Sequence, residues 1–406
     1  INEGWISDKV RFNYDGYYQQ RIDIPYIKKN QKLSSSSWEE SLKILKNKLK
    51  SLKPLALVGE HVDLETGYAI NKFMSNFGKD NVECRTDNQA ILENLDSYRF
   101  NTPLNEIENS DLIILLGTNP KIETPIINHK IFKAYNNNSR IFNIGENIPL
   151  NYQTEYLGDK LSNLNNEKLI KALKKSSNPL IIIGSAFLSK IKNIKTLKSI
   201  FSFADKYNVI TKDKNNLNFL NPYASRVGQL ILGNTTKNLC EPFSKLKKEK
   251  FEIVLSFGSE HIASEQFDNC FRVYFGHHGD EGAMKSDIIL PTPLYTEKNG
   301  IFVNIEGRPQ EAKKCHNPIG SAKEEWSIIK KLSDEFSFVF EPNTFEQLRS
   351  ELLKKHTKLS IFYEILSNDN ASPIITDIEF EDCKTQYPIN NFYMSDIISK
   401  NSVTMA

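Results

Sequence analysis

The chain has 406 residues, 39% hydrophobic and 25% charged, which supplies enough apolar surface for two or three packed domains and excludes disorder as an overall description. Its 52 basic and 50 acidic residues leave a formal charge of +2, so no nucleic-acid-binding face is expected. The longest apolar runs, such as Leu112–Leu116, fall far short of the roughly 18 residues that a membrane-crossing helix needs.

Residues 1–50 read as a lead-in segment and a first helix; the chain starts at Ile1 without Met, so the true amino terminus cannot be read from it. Short apolar runs ending in glycine then recur, each followed by residues able to start a helix, the pattern of buried parallel strands feeding crossover helices. Runs at 55–59, 112–117 and 141–145 place a first α/β half over 51–165. The Asn- and Lys-rich stretch 161–178 has linker composition and reads as the join. Runs at 180–184, 253–258, 273–276 and 288–290 place a second half over 166–342. An internal echo supports two related halves: Pro54-Leu55 before Gly59 resembles Pro179-Leu180 before Gly184, and Leu116-Gly117-Thr118 resembles Phe257-Gly258-Ser259. Beyond Asn343, Phe345, Leu348, Leu352 and Leu353 lie at helical spacing, and an irregular tail follows from Ser367, so 343–406 forms a last unit. The expected fold class is α/β, with two related, doubly wound, mostly parallel-sheet halves and a helical and irregular C-terminal tail.

Candidate chemistry is sparse. Gly117, Thr118, Asn119 and Pro120 stand where a doubly wound sheet opens its ligand crevice, although a tight strand-to-helix turn with Pro120 near the first helical position is the commoner meaning. The Gly-x-Gly-x-x-Gly fingerprint of an independent dinucleotide site is absent. Segment 275–282 gathers His277, His278, Asp280 and Glu281 between glycines, a pattern to be tested as a metal or acid–base site. Adjacent imidazoles on extended backbone point to opposite faces, which favours a structured loop of locally hydrogen-bonded rings. Glu297 and Lys298 read as a solvated pair rather than as base and nucleophile. Cys84, Cys240, Cys270, Cys315 and Cys383 are scattered, with no C-x-x-C, so no thiolate set for zinc or an iron–sulphur cluster is offered, and isolated thiols suit a reducing compartment.

The most distinctive stretch joins Asp287-Ile-Ile-Leu-Pro291, Tyr295-Thr296-Glu297-Lys298-Asn299-Gly300, Phe302-Val303-Asn304 and Glu306-Gly307-Arg308-Pro309-Gln310. It resembles the signature of the molybdopterin oxidoreductase superfamily, in which a strand ending in Leu-Pro precedes a Glu, then Gly-x-Phe/Tyr-x-Asn and Glu-Gly-Arg-x-Gln. With Gly276-His277-His278-Gly279-Asp280 just upstream, the chain is similar to the C-terminal part of the large iron–sulphur (75 kDa) subunits of NADH:ubiquinone oxidoreductase, respiratory complex I. Trp5-Ile6-Ser7-Asp8-Lys9, Arg11-Phe12 and Tyr14-Asp15-Gly16 resemble that family's passage out of its cluster-bearing region. Glu324-Glu325-Trp326 and Phe392-Tyr393-Met394-Ser395-Asp396 follow in the family's order.

The resemblance implies a non-catalytic structural portion of the matrix arm of complex I, peripheral on the matrix side of the mitochondrial inner membrane. The family's 2Fe-2S and 4Fe-4S clusters belong to an N-terminal portion upstream of this sequence. No catalytic, cofactor-binding or metal-binding residue is therefore assigned, and no cofactor is expected on this chain. The implied partners are that cluster-bearing portion, joined to this chain or separate through a split gene, and other hydrophilic-arm subunits. Two alternatives stay open: a molybdopterin-dependent oxidoreductase, for which Asp87 in the 82–89 stretch could ligate a metal, and a nucleotide-binding α/β protein. Phe392, Tyr393 and Met394 fit either an interface or the chain's own core.

Overall fold

Strands that are apolar at every position are stable only when both faces are covered. The computed structural model describes residues 4–240, 242–243, 251–367, 378–382, 385, 387 and 391–405, and places such strands inside two sheets. β1 (Tyr26–Lys29) and β2 (Lys32–Ser35) form a hairpin whose central residues, Asn30 and Gln31, both take positive φ (50° and 61°), as a type I′ turn requires. β3 (Pro54–Val58) and β4 (Val82–Glu83) follow. The chain then builds a complete second sheet from β5 (Leu112–Leu116), β6 (Arg140–Ile144), β7 (Glu155–Gly158), β8 (Pro179–Ile183) and β9 (Leu217–Phe219). It returns to the first sheet for β10 (Ile253–Phe257), β11 (Phe271–Gly276) and β12 (Ile288–Pro291), and ends its strands in a hairpin of β13 (Gly300–Val303) and β14 (Pro309–Ala312).

The second sheet has the order β7-β6-β5-β8-β9, all parallel, which is a doubly wound arrangement. The first has the order β2-β1-β12-β11-β10-β3-β4. Its five parallel strands repeat the second sheet's order, with β10 in the place of β5 and β3 in the place of β8. The echo read in the sequence is therefore structural. Gly117 and Gly258, after β5 and β10, both take positive φ (58° and 64°), and a Cβ on Gly184 or Gly59 would collide with the carbonyl of Gly117 or Gly258.

Residue alternation supplies the cores. In the first sheet Ala56, Val58, Leu255, Phe257, Val273 and Phe275 face one apolar cluster, while Leu55, Leu57, Val254 and Tyr274 face another. In the second, Leu112, Ile114, Leu116, Ile181 and Ile183 face one side and Ile113, Leu115, Leu180 and Ile182 the other. The helix Phe345–Lys355 forms where its spacing predicts, with Leu348 and Leu352 buried against the first core. No helix among the described residues is long and apolar enough to cross a membrane.

The expected division at 161–178 is corrected by the sheet pairing. β5 and β8, on either side of that stretch, are hydrogen-bonded neighbours from Leu112↔Pro179 to Leu116↔Ile183. The second unit is thus an insertion between β4 and β10, and the halves are not 51–165 and 166–342. The polar stretch is a crossover whose Leu161, Leu164, Leu169 and Leu173 pack under the second sheet; its Asn and Lys residues are the wet side of that packing.

The two ends of the chain meet. In the tail, Ile397 and Ile398 bury against Leu294, and the Ile398 carbonyl sits so close to Gly16 that any side chain there would clash. Tyr393 Oη donates to Asp8 (3.0 Å), and the Thr404 amide donates to Asp15 (2.9 Å). Cys383 and most of 368–390 lie outside the described residues.

Candidate functional site: the crevice between the sheets

In a doubly wound sheet the ligand crevice lies beyond the carboxyl ends of the two central strands, where the connections part in opposite directions. For the second sheet these are β5 and β8. After β5, Gly117 lets the chain turn, Asn119 precedes the short helix Pro120–Glu123, and Pro120 takes the first helical position, as the plainer sequence reading has it. The space that a ligand would use is filled by Glu123. One carboxylate oxygen accepts from Thr118 Oγ1 (2.5 Å) and the Asn119 amide (3.1 Å); the other accepts from the Ser185 amide (3.0 Å) and hydroxyl. Burial raises the Glu123 carboxyl above the usual range, and the four donors pull the other way. Sequence reading missed Glu123. An acid in the first turn after Asn-Pro was a local capping signal, but Ser185 approaches only through the sheet.

In the first sheet the corresponding strands are β10 and β3, followed by Ser259-Glu260 and Glu60-His61. A cavity of about 300 Å³ separates the two crevices and is lined by Lys9, Glu60, His61, Glu123, Tyr223 and Asp396, among others. Lys9 reaches Asp396 at 3.5 Å, and Lys400 pairs with Glu260, so the tail covers the opening. Burial, then Asp396 and Glu260, push the Glu60 carboxyl up to about 8, against Lys400 and Arg226. The folded chain therefore holds a proton between pH 4.5 and 8 that the unfolded chain releases, and stability falls as pH rises across that window. Glu60→Gln is expected to flatten the fall, gaining about 1–2 kcal/mol at pH 8 relative to pH 5 after allowance for solvent at the site. Denaturant midpoints at both pH values check this, and parallel profiles for variant and parent would count against it.

The other sequence candidates separate. His277 and His278 do not point apart: their Nδ1 atoms are 2.5 Å apart, and His278 Nε2 donates to the Gly16 carbonyl (2.8 Å). The strand ends at Gly276, so strict alternation no longer holds there. Burial and the neighbouring imidazole hold His277 well below the usual range, and burial pushes His278 down to about 4; both rings are neutral parts of a structured loop. No group of three or more His, Cys, Asp or Glu residues placed to hold a metal occurs among the described residues. Glu297 and Lys298 are not a solvated pair. Glu297 accepts from Arg21 (2.7 Å), while Lys298, 5% exposed, lies 2.8 Å from both Asp63 and Glu325, because extended neighbours project to opposite sides. Asp87 accepts from Arg226 (3.0 Å). Cys84 is buried, and burial pushes its thiol up to about 12.

The Asp287-to-Gln310 block is a clamp. Asn304 Oδ1 accepts from the Glu306 and Arg308 amides (3.0 and 2.9 Å), and Gly307 takes φ 83°, which folds the Glu-Gly-Arg turn. Glu306 then accepts from the Leu104 amide (3.0 Å) at the start of the inserted unit, and the Ile301 amide donates to Glu65 (2.9 Å) in the first.

Comparison with known proteins gives this geometry a family. The model of molybdopterin oxidoreductases matches residues 21–335. The chain belongs to the molybdopterin oxidoreductase family. A second model, describing the C-terminal region of the G subunit of NADH-ubiquinone oxidoreductase, matches 367–406. The whole chain is similar to the G subunit of NADH-quinone oxidoreductase from Rickettsia bellii, 36% identical over 420 residues, covering 100% of this chain and 60% of that one. It is 34% identical to the NADH-ubiquinone oxidoreductase 75 kDa subunit of Reclinomonas americana, covering 100% and 62%, and 33% identical to the mitochondrial 78 kDa subunit of Candida albicans, covering 100% and 59%. The chain thus spans about three-fifths of the length of these relatives. A chain of the formyltransferase/hydrolase complex of Methylorubrum extorquens, solved with methylofuran, superposes with a TM-score of 0.56 at 11% identity, covering 82% of this chain and 99% of that one; the likeness is one of fold.

The cofactor implied by the molybdopterin oxidoreductase fold carries phosphate, and the residues present do not fit it. The cavity between the sheets presents the acidic side chains of Glu60, Glu123 and Asp396, its lysine Lys9 is paired with Asp396, and the donors of the second crevice are already bound to Glu123. Asp87, the candidate metal ligand, is held by Arg226.

Proposed function

We propose that this chain is the cluster-free, C-terminal portion of the large iron–sulphur subunit in a proton-translocating NADH:ubiquinone oxidoreductase, where it supports NADH-to-ubiquinone electron transfer without binding a cofactor or supplying a catalytic residue. The observation that carries the proposal is similarity along the whole chain to the Rickettsia and mitochondrial subunits, together with a crevice packed with the chain's own carboxylates. The fold contributes a rigid α/β lobe in the matrix arm, on the matrix side of the mitochondrial inner membrane. Its partners are the cluster-bearing N-terminal portion, in the same or a separate polypeptide, and neighbouring hydrophilic-arm subunits. Relatives in Reclinomonas americana and in Candida albicans mitochondria support that location.

Native separation of gently solubilised mitochondrial membranes, with mass spectrometry and an NADH-oxidation stain on one lane, tests the reading. Migration of the chain in the NADH-oxidising band supports it; migration free of that band overturns it. The same lane tests the tail as an anchor. Phe392 lies half-buried beneath Lys9, whose Nζ is 4.6 Å from the ring, and Tyr393 is exposed. Phe392→Ala with Tyr393→Ala is expected to lower the amount of assembled complex at least severalfold while the lobe keeps its melting temperature. Unfolding of the lobe itself would refute the anchor role.

A further inference from the structure

We propose that the Glu123 carboxylate is an internal substitute for a phosphate, occupying an oxyanion cradle made by the turns after β5 and β8 and keeping that crevice shut to phosphate-bearing ligands. Four donors converge on it: the hydroxyls of Thr118 and Ser185 and the amides of Asn119 and Ser185. They come from two turns far apart in sequence, brought together by the β5–β8 pairing and by the close approach of Gly184 to Gly117. Both amides can only donate, so an uncharged apolar side chain at 123 would leave the amide of buried Ser185 and that of half-buried Asn119 without a side-chain acceptor. An anion supplied by the protein and one supplied by a ligand satisfy this cradle in the same way, and the two exclude each other.

The first sheet does not repeat this set of groups. At the positions matching Asn119, Glu123 and Ser185 it carries Glu260, Ser264 and Glu60, so the first crevice has an acidic side chain where the second has the Ser185 hydroxyl, and no acid where the second has Glu123. The cradle is therefore a property of the second sheet, and Glu123 is the side chain that closes it. This inference stands apart from the assembly reading and survives if the chain is not a complex I subunit.

The test uses the full chain and inorganic phosphate, with chloride at matched ionic strength as the reference. Glu123→Ala in chloride is expected to melt below the parent, and phosphate is expected to restore part of the loss saturably, with an apparent affinity for phosphate at least roughly tenfold tighter than any shown by the parent. Adding Ser185→Ala to Glu123→Ala is expected to abolish the phosphate effect, which separates the cradle from phosphate bound elsewhere. Glu123→Gln, which keeps the crevice filled, is expected to show no phosphate effect. If Glu123→Ala does not fold in chloride, refolding in phosphate is the readout: recovery in phosphate alone supports the proposal, and failure in both overturns it. A folded Glu123→Ala protein indifferent to phosphate, or a parent that responds equally, also overturns it.

Discussion

Lys298→Met is expected to destabilise the protein by about 3–5 kcal/mol, because it removes the cation from a buried group of three charges. Lys298 Nζ lies 2.8 Å from Asp63 Oδ2 and 2.8 Å from Glu325 Oε2, with every side chain in the group less than a tenth exposed. Burial penalises the charges of Lys298 and Glu325, and the two carboxylates hold Lys298 protonated. Without it, Asp63 and Glu325 face each other unpaired. Asp63 also caps the helix Leu64–Met74, accepting from the Thr66 amide at 2.8 Å, so the loss propagates to a helix at the centre of the first core. Urea midpoints measure the effect. Combining Lys298→Met with Asp63→Asn and Glu325→Gln is expected to recover a large part of it, since the stranded charges are gone. A loss below about 1 kcal/mol for Lys298→Met alone would mean that water reaches the group.

Arg85→Met is expected to cost a similar amount, about 3–5 kcal/mol, and to loosen a different region. The Arg85 side chain is fully buried, and its guanidinium donates to both Glu83 oxygens (3.0 and 2.8 Å), to the Leu239 carbonyl (2.9 Å) and to the Asn238 carbonyl (2.8 Å). Glu83 in turn accepts from the Thr236 amide (3.1 Å) and hydroxyl (2.9 Å). One cation therefore fastens the 236–239 loop to β4. Amide hydrogen exchange is expected to speed up at 236–239 well before the core strands respond. Uniform acceleration across the chain would instead mean that the loop opens only by global unfolding.

The long parallel strands were legible because burial on both faces leaves a continuous apolar run, as in Leu112–Leu116 and Pro179–Ile183. β4 and β9, two and three residues long, carry no such signal, since their pairing is imposed by neighbours already in place. The insertion was hidden for a related reason. Composition marked 161–178 as a linker, whereas only the β5–β8 register shows that the chain stays within one unit across it. At the crevice, Pro120 and the glycine turns were readable from local backbone rules. Glu123 was not, because its meaning depends on Ser185, and Lys298 was misread because Asp63 and Glu325 are distant in sequence.

The inserted second unit also sets an order of folding. β5 to β9 lie within one uninterrupted stretch, so all five can pair as soon as residues 112–219 have been synthesised. β3 must wait, since Pro54 pairs with Ile253 and Val58 with Phe257. During translation β3 meets β4 early, but its other edge emerges long before β10, its neighbour on that side, while the inserted unit is synthesised between them. The Phe219 amide donates to the Arg99 carbonyl at 3.1 Å, bringing the segment that enters the inserted unit beside the strand that leaves it. Completion of the inserted unit thus shortens the search that β10 makes for β3, and the late closure of the first sheet is the step at which a nascent chain is most exposed to aggregation.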